Sequence, residues 1–76
     1  MTPLQTAIAE KRRILRHEYG GMMTLQDLAQ ELGFASTNSA RKWVQDVALD
    51  HTRIGSRIRY DTDLVAKILV QRREPA

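Results

Sequence analysis

A chain of 76 residues makes one domain with a thin core, too small to hold the clefts of about 300 Å³ or more that small-molecule sites use with any ease. It has no cysteine, so disulfide scaffolds and thiolate zinc sites are excluded and packing, or a partner chain, must hold the fold. Twelve Lys and Arg against nine Asp and Glu leave a mild formal charge of +3, which identifies no partner by itself.

The first helix is expected from Thr2 or Pro3 to His17 or Tyr19. Thr2 can cap it and Pro3 suits its first position. Leu4, Ala7, Ile8, Ile14 and Leu15, with Tyr19 behind them, form its apolar stripe, and Gly20-Gly21 stops it with a flexible joint. Thr24-Leu25-Gln26-Asp27 has the form of a capping box, and Met23 and Leu28 stand where a hydrophobic staple would put them. Leu25, Leu28, Ala29 and Leu32 make the inner face of this second helix. Gly33 ends it, with Phe34 folding back on the last turn. A third helix begins after Ala35, capped by Ser36 or Thr37, and runs to about Val47 or Leu49. The short glycine-bearing link before it is that of a helix-turn-helix.

Residues 52–60, Thr-Arg-Ile-Gly-Ser-Arg-Ile-Arg-Tyr, alternate as strands do. A loop of Gly55-Ser56 alone would set Ile54 against Arg57. A loop of Gly55-Ser56-Arg57 pairs Ile54 with Ile58 and Arg53 with Arg59, keeping apolar with apolar, and is the expectation. The hairpin then has an apolar underside and an arginine-rich outside and tip. A last helix, capped by Asp61 or Thr62, turns Leu64, Val65, Ile68 and Leu69 inward, and Arg72 and Arg73 suit its C-terminal end. Glu74-Pro75-Ala76 is expected to fray. The architecture is therefore mostly α with a small β-hairpin, in the order helix, helix-turn-helix, two-stranded hairpin, helix.

Charge is distributed unevenly over these elements. Residues 24–33 carry Asp27 and Glu31 and no basic residue, whereas residues 34–60 carry Arg41, Lys42, Arg53, Arg57 and Arg59 against only Asp46 and Asp50. On the third helix, Ala40, Trp43, Val44 and Val47 share one side and Asn38, Arg41, Lys42 and Gln45 the other, with Asp46 on the flank. That division fits a helix in a major groove, where Arg or Lys reads guanine and Asn or Gln reads adenine. Ser36, Thr37 and Ser39 lie near the helix start, where backbone amides favour phosphate. Arg53, Arg57 and Arg59 crowd a short ribbon, an unfavourable arrangement unless an anion such as a phosphate backbone neutralises it. A merely solvated helix and a charge-protected edge ribbon would show the same patterns singly. Side by side they favour double-stranded DNA as the partner.

Other residues read more plainly. Trp43 is core and not a base-stacking platform, and Tyr60 is a hinge between hairpin and last helix. Lys11, Arg12, Arg13 and Arg16 form a basic, solvated face, with phosphate contacts or charges beside a helical dimer seam as alternatives. His17 and His51 are isolated, so no metal is expected. No Gly-rich phosphate loop, nucleophile motif or paired-acid constellation is present, so neither an enzyme nor a cofactor nor a small-molecule substrate is expected. No apolar run approaches the roughly 18 residues of a membrane span. Met1-Thr2-Pro3-Leu4 lacks a signal peptide's basic start and apolar stretch. The expected location is the cytoplasm, at the nucleoid.

Four segments together carry a resemblance: Thr24-Leu25-Gln26-Asp27-Leu28-Ala29-Gln30-Glu31-Leu32-Gly33, Arg41-Lys42-Trp43-Val44, Arg53-Ile54-Gly55-Ser56-Arg57-Ile58-Arg59-Tyr60, and Asp63-Leu64. Over residues 23–72 the chain resembles the excisionase-like branch of the MerR-type winged-helix proteins, which includes AlpA-like regulators and phage and plasmid excisionases. The resemblance implies a winged helix-turn-helix over residues 1–76, with 23–73 as the DNA-binding core and 2–19 as an extra N-terminal helix. It implies a third helix in the major groove and a wing over adjacent backbone or minor groove. The implied role is that of a mobile element's directionality factor or small transcriptional regulator, paired on DNA as a two-fold dimer or a head-to-tail row. The chain departs from the pattern in a longer turn over residues 33–43, in Ile58 where an aromatic is common, and in the first helix, which packs on the core or makes a dimer contact. Small terminase subunits and plasmid partition proteins use similar modules, so packaging, partition and a protein-interaction module without specific DNA binding stay open.

Overall fold

In the computed structural model, which describes residues 1–72, Thr2 closes the start of α1 (Pro3–Tyr19). The Thr2 hydroxyl accepts from the Gln5 amide at 3.1 Å, and the Gln5 side chain accepts from the Thr2 amide at 2.9 Å. After β1 (Met22–Met23), a second capping box opens α2 (Leu25–Leu32): Thr24 and Asp27 exchange the same two bonds, each 3.0 Å. Gly33, at φ 76°, ends α2, and the Phe34 amide donates to the Ala29 carbonyl at 2.8 Å. This is a Schellman turn, in which a left-handed residue lets the last carbonyls find donors.

Ser36 caps α3 (Thr37–Asp46) by backbone geometry alone, since its hydroxyl makes no capping bond. α3 ends in the same turn as α2, but with alanine in the left-handed position: Ala48 has φ 55°. There the Leu49 amide donates to Val44 at 3.0 Å and the Ala48 amide to Gln45 at 3.3 Å. β2 (Thr52–Ile54), β3 (Arg57–Asp61) and α4 (Thr62–Gln71) complete the chain. Asp61 caps α4 by accepting from the Asp63 amide at 2.8 Å.

The three strands form an antiparallel sheet in the order β1-β3-β2, so the expected two-stranded hairpin gains a third strand, with Met22 opposite Asp61 and Met23 opposite Tyr60. The expected hairpin register is corrected. Ile54 pairs with Arg57, Arg53 with Ile58 and Thr52 with Arg59, around a loop of Gly55-Ser56 only. Gly55 has φ 64° and Ser56 has none of that left-handed character, the pattern of a tight type II′ turn, whose twist matches the strands it joins. Ile54 and Ile58 both stay exposed, so burial imposes no register here and the turn decides it. Ile54 therefore shares a face with Arg57, while Arg53 shares the other with Ile58 and Tyr60.

α1 packs along α4 and α2 against α3. Leu15, Met23, Leu28 and Val65 are fully buried at the centre, with Ala29, Ala40, Val44, Val47, Leu49, Tyr60 and Ala66 around them. Removing a side chain such as Leu15 down to alanine costs about 2–5 kcal/mol at such a site. α1 is thus part of the core. Trp43 packs against that core half-buried, and Tyr60, only 6% exposed, belongs to it, between the hairpin and the Asp61 cap of α4. The α1 stripe is only partly covered, since Leu4 and Ile14 remain exposed. On α4 the buried arc is Val65, Ala66 and Val70, while Leu64 lies outside that arc and stays exposed. Thr62 is buried with both polar groups satisfied: its hydroxyl donates to the Gly20 carbonyl at 2.8 Å and its amide to the Gly21 carbonyl at 3.1 Å. Arg72 caps α4, and the expectations for residues 73–76 lie outside the described residues. No described helix is long and apolar enough to cross a membrane.

Candidate nucleic-acid interface

Burial of Ala40, Val44 and Val47, with Trp43 beside them, fixes the rotation of α3. The opposite face is left in solvent, and Asn38, Arg41, Lys42 and Gln45 are all exposed there, as the periodicity requires. Within it the Arg41 guanidinium donates to Asn38 Oδ1 at 3.2 Å, which holds it toward the first turn of α3. Ser36 is exposed with its hydroxyl uncommitted, while Thr37 and Ser39 are half-buried.

The hairpin stands next to this face. One shallow groove runs between the start of α2 and β3, with Gln26, Arg41, Ser56, Ile58 and Arg59 along it. A second runs between the end of α3 and β3, with Arg41, Gln45, His51 and Ile58. Arg41 borders both. The fold therefore brings Arg41, Gln45 and Arg59 together around the grooves. Asn38 and Lys42 sit on the exposed face of α3 outside them, and Arg53 and Arg57 are exposed on opposite faces of the ribbon. Arg59 is half-buried and donates from Nη1 to the Ile58 carbonyl at 2.9 Å, which stiffens it against its own strand.

The electrostatics set this region apart from most of the basic face of α1. Lys11 of α1 meets Glu31 of α2 at 3.3 Å, Arg13 pairs with Glu10 within α1, and Arg16 grips Asp63 of α4 through two bonds of 2.7 and 2.9 Å. The basic face expected on α1 is thus largely neutralised. The Arg16 guanidinium beside Asp63 holds that carboxyl below its ordinary value, against the opposing effect of burial. Tyr19 donates its hydroxyl to Glu31 at 3.1 Å, and burial first, then that bond and the nearby negative charge, push its phenol up to about 12. By contrast, among the described residues none of Arg41, Lys42, Arg53, Arg57 and Arg59 forms an ion pair with a carboxylate. Sequence separation hid this contrast, because Lys11–Glu31 and Arg16–Asp63 span 20 and 47 residues. Among the described residues no three His, Asp or Glu side chains gather as a metal site would need. No protein-family model, curated protein or solved structure matches the chain.

Proposed function

We propose that the protein binds double-stranded DNA as a winged helix-turn-helix module, with α3 in the major groove and the β2–β3 wing over the adjacent backbone or minor groove. The observation that carries this reading is the set of cations Arg41, Lys42, Arg53, Arg57 and Arg59, on adjoining elements and without carboxylate partners among the described residues. Concentrated positive charge that the chain does not neutralise itself is what a polyanion with condensed counterions rewards. Arg41 is suited to the O6 and N7 acceptors of guanine, with Asn38 buttressing its guanidinium. Asn38 Oδ1 keeps a second lone pair beside the bond from Arg41, so Asn38 and Gln45 are both suited to bidentate contact with adenine. Ser36, with its free hydroxyl, joins the first amides of α3 in holding a phosphate, with Thr37 and Ser39 beside it. Lys42 and the wing arginines fix the backbone.

The biological role that fits best is that of a mobile element's directionality factor or small transcriptional regulator, acting in the cytoplasm at the nucleoid without catalysis or cofactor. It rests on the segments that resemble excisionase-like proteins. A module this small gains specificity by pairing on DNA. Selection of bound duplexes from a random-sequence pool at moderate salt, followed by sequencing, tests the reading. Enrichment of inverted half-sites indicates a two-fold regulator, and tandem sites a head-to-tail row. No enrichment, with retention lost on slight added salt, refutes specific binding. Exposed Leu4 and Ile14 on α1 favour a second reading, a protein-interaction module. An apolar interface of that kind keeps its affinity as salt rises, whereas DNA binding through arginines does not.

A further inference from the structure

Resting on that DNA-binding reading, we propose that Ile54 is an apolar wedge that enters between base pairs from the minor groove and kinks the bound duplex. Ile54 is 54% exposed, more than any other described large apolar side chain except Met1. It is the last residue of β2, directly before the Gly55-Ser56 turn, and contributes nothing to the core cluster. The two-residue turn isolates it. A three-residue loop would have set Ile54 against Ile58, whereas the observed register sets it against Arg57. Ile58 lies on the opposite face and lines the grooves beside Arg41, so it is engaged with the body of the protein.

The surroundings supply the rest of the device. Arg57 stands across from Ile54 and Arg59 follows on the same face, whereas Arg53 points to the other, and neither Arg57 nor Arg59 has a carboxylate partner among the described residues. Gly55 and Ser56 carry almost no side chain, so the tip can approach a base step closely. An apolar point with cations along the same face is a combination by which minor-groove proteins unstack a step: the cations hold phosphates while the side chain takes the place of a stacked base. A protein partner would have no use for the charges of Arg57 and Arg59 on this face unless its own surface were acidic, so charge complementarity favours the duplex.

The test uses the full chain with duplexes recovered from the random pool, or with a random-sequence duplex if none is enriched. Each duplex is labelled at its ends for energy transfer and carries 2-aminopurine at successive steps. The wild-type complex is expected to bend by about 20–90° and to brighten one 2-aminopurine step. Ile54→Leu keeps both signals. Ile54→Ala, with unchanged thermal melting, still binds with affinity lowered by less than about tenfold but loses the bend and the local signal. Arg57→Ala weakens binding while each bound complex bends as before. A straight wild-type complex, or an Ile54→Ala complex that bends equally, overturns the wedge and leaves DNA binding standing. Failure of the wild type to bind any duplex overturns both.

Discussion

The two Schellman turns make a paired experiment, because one places glycine and the other alanine in the left-handed position. An L-residue with a side chain pays about 1–2 kcal/mol in that conformation. Changing Ala48 to glycine removes this strain but frees the unfolded chain, which costs about 0.4–1 kcal/mol. The Ala48 methyl is on the surface and supports no core contact, so packing adds no further term. The net expectation is a stabilisation of about 0.8 kcal/mol, or roughly 3–6 °C in Tm for a chain of this size. Gly33→Ala is the mirror image: a built Cβ meets nothing within 4 Å, so the backbone alone makes the change unfavourable, by a similar amount. The double variant should melt near wild type. Thermal and urea unfolding followed by far-ultraviolet circular dichroism measure all three. If Ala48→Gly destabilises while Gly33→Ala is neutral, the assignment of strain to the end of α3 is wrong.

Other expectations follow from the charged groups. Arg16→Ala should lower the melting temperature slightly, since the grip on Asp63 is bidentate but open to solvent. Because Asp63 titrates below its ordinary value of 3.8, this difference is full above that pH and fades as pH falls through the depressed value, which paired acid melts of wild type and variant will show. Tyr19 works in the opposite sense: its contribution is present below its ordinary value of 10.0 and is lost as pH rises through about 12. In Glu31→Gln the phenolate absorbance step should move down only part of the way, because burial is the larger cause. For DNA binding, the free cations Arg41, Lys42, Arg53, Arg57 and Arg59 set a limit of about −4.5 on the slope of log affinity against log salt, and Arg57→Ala should lessen it by about 0.9. A slope near zero in a salt titration would sink the polyanion assignment.

What was legible in the sequence was what neighbours decide. Thr2 as a cap, Thr24 with Asp27, and Gly33 after an apolar face all act within one or two turns and formed as read, and Gln5 adds the second half of a box at Thr2. The exposed face of α3 was equally legible, since Ala40, Val44 and Val47 on the buried side leave Asn38, Arg41, Lys42 and Gln45 nowhere else to go. The register of the hairpin was not, because cross-strand pairing of Ile54 with Ile58 gains little when neither is buried, and Gly55 at the first turn position outweighs it. β1 is only Met22-Met23, too short to alternate, and becomes a strand through β3. Ala48 gives no local sign of a left-handed conformation, and the apolar stripe of α4 includes Leu64 although the buried arc is centred on Val65, Ala66 and Val70. The grooves around Arg41 depend on α2, α3 and β3 meeting, which spacing along one helix does not reveal.

The bonds from Thr62 to the Gly20 and Gly21 carbonyls, continued by Met22 opposite Asp61 and Met23 opposite Tyr60, draw the segment between them into a closed loop with a single neck. α2, α3 and the hairpin lie within that loop, while α1 and α4, from the two ends of the chain, clasp its neck, and Glu31 adds a second tie from α2 to Lys11 and Tyr19 of α1. A fragment holding only the looped residues would keep every side chain of the candidate interface and lose the frame that sets α3 beside the hairpin. Opening the neck releases both elements at once, so the surface is presented or withdrawn as a unit, and protection of the Thr62 amide from hydrogen exchange should track how long it is held in place.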